Sequence, residues 1–228
     1  MKSVTRIEKY ISFIDKYPHV FNNDSSELMI VTDADELYKG QEELYRMADA
    51  KDRPREWYDI GVIAEDNWVV VLRDLIKLSS GQYCGYIRSI NRRSQLEQSG
   101  KDVVILVCVD DAFLLVNHFR HEDRTWHWEC PRGFGEAGLS PVENAIKELT
   151  EETGLFVNRI LQLDDNTDRV AYFLAHCSGS IVRPDEREII SETKLVFKSE
   201  FESMIMNCKI NDLYTLRAFM LADLKGLV

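Results

Sequence analysis

Glu148, Glu151 and Glu152 stand at the i, i+3, i+4 spacing that makes side chains neighbours on one side of an α-helix. Carboxylates crowded in this way repel one another in water, by roughly a few tenths of a kcal/mol per pair. A divalent cation converts that penalty into binding energy. Mg²⁺ takes carboxylate oxygens readily and keeps waters and substrate phosphates as its remaining ligands. The three residues therefore read as half of a metal site open toward a phosphate. Taken alone, an E-x-x-E-E run is more often a solvated acidic face. Here it follows a glycine-rich loop, PRGFGEAGL (131–139), in which Gly133, Gly135 and Gly138 let the backbone approach a ligand.

The helix that must carry these acids is well marked. Ser140 is the expected N-cap, Pro141 the first helical residue, and Glu143 completes a capping box. Gly154 supplies the C-terminal stop. About three and a half turns lie between them. Val142, Ala145, Ile146 and Leu149 are expected to face the core. Around this helix, strands are expected over 103–109 and 113–119 as a hairpin, then over 126–130, 156–162, 170–176 and 194–197. A closing helix is expected over 210–225, with Leu213, Leu216, Phe219, Met220 and Leu224 near a 3.6-residue period. Further upstream, 68–76 and 83–90 read as strands joined by a turn, and 91–101 as a polar loop. Residues 4–16 and 35–50 read as amphipathic helices. The expected fold class is α+β: an α/β/α sandwich around a mixed sheet with an N-terminal helical extension. The expected organisation is an extension over 1–56 and a main domain over 57–228, with N-terminal strands in 57–100 and a catalytic core in 101–228.

Composition narrows the partners. A formal net charge of -11 repels polyanions, so duplex nucleic acid is not an expected partner. A few arginines and a bound cation still allow a small anion in one cleft. No apolar run reaches the roughly 18 residues of a membrane span, and the charged N-terminus does not read as a signal peptide. A cytoplasmic, reducing location is expected. The five cysteines are scattered without a C-x-x-C pair and read as free thiols rather than a zinc ribbon. His118, His121 and His127 fit no single face and are read as non-ligands. Trp126 and Trp128 share a face if 126–130 is a strand. They could stack a base, although a packing role is the commoner use of such a pair.

Residues 133–155 resemble the signature box of the Nudix hydrolases. In that family a glycine is followed by five residues and a glutamate, then seven residues, then Arg-Glu-apolar-x-Glu-Glu-x-Gly-apolar. Gly133, Glu148, Leu149, Glu151, Glu152, Gly154 and Leu155 occupy the matching positions. Leu139 stands where the family has glutamate, and Lys147 where it has arginine. In the family those two side chains mainly hold the loop against the helix. The likeness implies hydrolysis of a nucleoside diphosphate linked to another group. It implies that Glu148, Glu151, Glu152 and the main-chain carbonyl of Arg132 hold Mg²⁺, with Mn²⁺ the alternative, and that the metal charges attack at phosphorus. A further acid outside the box would orient the water. Asp185, Glu186, Glu188 and Glu192 are the candidates, Glu188 preferred.

The resemblance extends over about residues 57–228 toward ADP-ribose pyrophosphatase relatives. Through AFLLVNHFRHEDRTWHWECPR (112–132) it places Arg120 on the pyrophosphate and Glu129 at the ribose or the metal rim, with Arg132 and Gly133 lining the substrate. Arginine suits phosphate because its fork meets two oxygens at once. ADP-ribose, giving AMP and ribose 5-phosphate, is the expected substrate, and a homodimer the expected assembly. Two alternatives stand beside it. One is a Nudix hydrolase of a sugar nucleotide or dinucleotide. The other is a nucleotide sensor without turnover, which Leu139 and Lys147 would suit.

Overall fold

Amphipathic helix and alternating strand patterns in the first two-fifths of the chain build a unit of their own. The computed structural model describes residues 5–23, 28–97, 100–164, 170–181 and 189–228. Contacts divide the chain into Met1–Glu97 and Gln98–Val228. The first unit contains helix α1 (Arg6–Lys16), strand β1 (Leu28–Ile30), helix α2 (Ala34–Ala50) and strands β2 (Gly61–Glu65), β3 (Val69–Leu78) and β4 (Tyr83–Asn91). Strand β3 pairs antiparallel with β1, β2 and β4. Helix α1 opens on a capping box between Thr5 and Glu8. Its Tyr10, Phe13 and Ile14 join Leu37 and Leu44 of α2 and Leu72 and Leu75 of β3 in one core. The buried carboxylate of Asp74 is satisfied there by the Tyr10 hydroxyl and the Arg88 guanidinium.

This packing moves the expected boundary. The helices of 1–56 do not form a separate extension. They supply half of the core over which β2, β3 and β4 fold, so those strands belong with the helices and not with the second unit. The expected loop at 91–101 contains a π-helical turn, Arg92–Leu96.

The second unit is an α/β/α sandwich. Its strands are β5 (Asp102–Val109), β6 (Ala112–Arg120), β7 (Thr125–Glu129), β8 (Arg132–Gly133), β9 (Phe156–Asp164), β10 (Val170–Ser178) and β11 (Ile190–Phe197). Their order is β11-β6-β5-β10-β9, with β7 on β6 and β8 on β5. The β5–β10 pair is parallel and the others antiparallel, which makes the sheet mixed. Strand β5 is buried on both faces, so it reads as a continuous apolar run. Val103, Ile105 and Val107 pack under helix α3 (Pro141–Thr153), while Val104 and Leu106 face helices α4 (Lys198–Met206) and α5 (Leu213–Leu224). Phe201 and Phe219 stack at 4.6 Å on that second face, with Phe113 edge-on to both.

Two expectations change here. Strand β11 begins at Ile190, ahead of the strand expected over 194–197. Helix α5 buries Thr215, Ala218, Phe219 and Ala222, and leaves Leu213, Met220 and Leu224 exposed. Small residues bring that helix close to the sheet, where the Thr215 hydroxyl accepts the Cys130 amide at 2.8 Å. Among the described residues, no helix is long and apolar enough to cross a membrane.

Candidate active site

Helix α3 is closed at both ends as its sequence requires. The Ser140 hydroxyl accepts the Glu143 amide, and the Glu143 carboxylate accepts the Ser140 amide at 2.8 Å. Such a cap contributes about 1 kcal/mol. Gly154 takes the left-handed conformation, φ 71°, and its amide closes on Thr150. The inward face is rotated from the expected one. Val142 and Ile146 are exposed, while Asn144, Ala145, Leu149, Glu152 and Thr153 are buried. The rotation follows from the loop, because Asn144 donates to the Phe134 carbonyl at 2.9 Å and so must lie inward.

The rotation also sorts the three acids. Glu151 is exposed, Glu148 half-buried and Glu152 buried, 3% exposed. Glu152 is therefore part of the packed surface of the helix. Glu148 lies directly on Gly133: a Cβ there would overlap the Glu148 Cγ, Cδ and Oε1. That contact is why the loop needs glycine at this point, and it joins the loop to the acidic edge. Glu151 turns instead toward Lys147, 3.4 Å away. The acids fan out along the helix, and among the described residues no group of three or more Asp, Glu, His or Cys side chains is drawn together closely enough to hold a metal as it stands. The donors nevertheless suit a hard cation. They are carboxylates, and the cradle at Gly133 leaves room for one of them beside a backbone strand whose Arg132 carbonyl is adjacent.

The loop itself is held from three sides. The Gly135 amide donates to Asp102 at 2.9 Å, Asn144 holds Phe134, and Lys147 reaches Glu136 at 2.5 Å. Burial raises the Asp102 pKa, against the opposing hydrogen bond from Gly135. The Glu136 contact, with Glu151 behind it, raises that of Lys147.

Next to the loop lies a cationic cluster around one buried acid. Glu129 is 1% exposed. It accepts Arg120 through both carboxylate oxygens, with His118 Nδ1 at 3.2 Å and the Arg132 guanidinium at 3.4 Å. Burial by itself would raise its pKa, but His118, Arg120 and Arg132 together outweigh it and hold the carboxylate below the ordinary range. Glu129 was expected at a ribose or metal rim. Its burial and its three basic neighbours make it a hub that orients the arginines. Arg120 and Arg132 keep part of their surfaces in solvent. Arg132 also meets Asp212 at 3.5 Å and stacks over Tyr214 at 4.9 Å.

Of the other expected site residues, Asp185, Glu186 and Glu188 lie outside the described residues. Glu192 is exposed on β11, near Asn117 of β6. Trp126 is half exposed and edge-on to Phe119, while Trp128 packs on the α5 side of the core. Glu136, Asn144, Asp102 and Asp212 were not singled out in the sequence, and His118 only as a non-ligand. The signal for Asn144 was a polar residue inside the apolar period of α3. That for Glu136 was an acid in the loop within reach of Lys147.

Comparison with known proteins adds to this geometry. Residues 99–206 match the family model of the NUDIX domain. This segment is a Nudix domain. It contains the loop, α3 and the Glu129 cluster. The putative ADP-ribose pyrophosphatase YjhB of Bacillus subtilis (strain 168) is 36% identical over 89 residues, covering 36% of this chain and 41% of that protein. The chain thus spans less than half the length of that curated relative. A crystal structure of an ADP compounds hydrolase has a similar fold, with a TM-score of 0.55 at 17% identity, covering 75% of this chain and 95% of the other.

Proposed function

We propose that the Nudix domain hydrolyses the pyrophosphate bond of a nucleoside diphosphate derivative, with ADP-ribose as substrate and AMP and ribose 5-phosphate as products. The observation that carries this is the seat of Glu148 on Gly133, which makes the glycine loop and the acidic helix edge one structure. The matching Nudix model and the names of the two similar proteins support the class of substrate.

Glu148, Glu151, Glu152 and the Arg132 carbonyl would hold Mg²⁺ or Mn²⁺. Bound there, the ion supplies charge to the phosphate oxygens and a more acidic water. The chain's own part is positioning. Glu129 fixes Arg120 and Arg132 so that their solvent-facing edges meet the diphosphate, where forked donors stabilise developing negative charge. Glu188 remains the proposed acid that orients the water. A homodimer in the cytoplasm remains the proposed setting.

The test is a panel of ADP-ribose, sugar nucleotides and dinucleotides incubated with Mg²⁺, with products separated by chromatography. AMP and ribose 5-phosphate from ADP-ribose, at higher kcat/KM than from the rest, support the assignment. Hydrolysis of another compound with ADP-ribose untouched would replace the substrate, and no turnover of any would leave a binding protein.

A further inference from the structure

Leu139 and Lys147 leave the loop without the acid expected six residues after Gly133, yet the structure holds the loop by another route. The Lys147 ammonium lies 2.5 Å from Glu136 Oε1. A turn makes this possible: the Leu139 amide closes on the Glu136 carbonyl at 3.3 Å, which brings the two positions side by side. The acid one turn before Lys147 on the helix, Glu143, is taken up by the cap at Ser140, so Lys147 reaches outward to the loop. Its remaining contact, 3.4 Å, is with Glu151 on the acidic edge.

We infer that Glu136 and Lys147 form a relocated latch, in which Glu136 is a positioning residue that sets the distance between the glycine loop and the acidic edge. Through Lys147 the latch also restrains Glu151. The inference rests on the proposed metal site, but its first readout does not. Both side chains are about 38% exposed, so the pair is a surface ion pair of modest strength. An effect of about two- to fivefold on local opening is the scale such pairs carry.

The experiment uses the full chain and the variants Glu136→Gln, Lys147→Met, the double variant and Lys147→Arg. Amide exchange of residues 133–139 in metal-free protein is read first. The expected result is two- to fivefold faster exchange in each single variant, no further increase in the double, and wild-type exchange in Lys147→Arg. A second variant, Leu139→Glu in the Glu136→Gln background, should restore protection by returning the acid to the neighbouring position. Mn²⁺ titration followed by electron paramagnetic resonance is read next. The midpoint should rise by a similar factor in the single variants, with the Mg²⁺ requirement for turnover moving more than kcat at saturating metal. Unchanged loop exchange in Glu136→Gln, or single effects that add in the double, would overturn the latch. Faster exchange in the single variants, beside a wild-type chain that binds no Mn²⁺, would keep the latch and remove the metal site.

Discussion

Substituting Gly133 by alanine separates the chemistry of the loop from its folding. Gly133 has no left-handed backbone, so alanine costs little in conformation. The new methyl would instead sit within 3.0 Å of the Glu148 Cγ, Cδ and Oε1, where ordinary contact begins near 3.4 Å. The obstacle is a flexible side chain, so the molecule yields by displacing the Glu148 carboxylate, on the order of 1 Å. A misplacement of that size costs about 100-fold in rate when the group belongs to the reacting assembly. The stability change should stay within about 1–3 kcal/mol, the range for overpacking. The assay pairs thermal unfolding with kcat/KM for ADP-ribose. The expected pattern is a folded protein with a small fall in Tm and roughly 100-fold lower turnover. Wild-type turnover would show that Glu148 does no work at the metal. Loss of the fold would show that the glycine serves architecture alone.

Other outcomes follow from the same geometry. Glu152→Gln keeps the volume of a buried side chain, so the protein should still fold cooperatively while turnover drops by about 10²-fold or more, measured by calorimetry and kinetics. Glu129→Ala leaves Arg120 and Arg132 without their hub; a loss of about 3 kcal/mol in urea unfolding is expected, together with a raised KM. His127 lies between Asp123 at 2.7 Å and Asn211 at 2.9 Å. Its burial lowers the pKa, but those two contacts win and raise it above the ordinary 6.5. The stability it contributes is therefore complete below about pH 6.5 and lost as pH rises through the raised value. Unfolding curves from pH 6 to 9 should show that loss in the wild type and not in His127→Gln.

Helix α3 was legible because its instructions are local. The capping box, the proline at the first helical position and Gly154 each act within a few residues, and all three appear as read. Its buried face was not, because the hydrogen bond from Asn144 to the Phe134 carbonyl outweighs the burial of Val142 and Ile146. The role of Glu129 was hidden for a related reason. Its partners His118 and Arg120 come from the paired strand β6, and Arg132 from β8 beyond Pro131, so only the folded register reveals a buried acid with three bases. The boundary near residue 56 misled because a helical pattern says nothing about which sheet it will cover. Tyr10 and Asp74 meet across 64 positions of sequence.

The most direct test of the metal site is anomalous scattering from crystals grown with Mn²⁺ and an ADP-ribose analogue whose bridging oxygen is replaced by methylene. A manganese peak between the carboxylates of Glu148, Glu151 and Glu152 and the analogue's diphosphate is the expected result. A bound analogue with no metal at α3, or a metal held elsewhere on the chain, would contradict it.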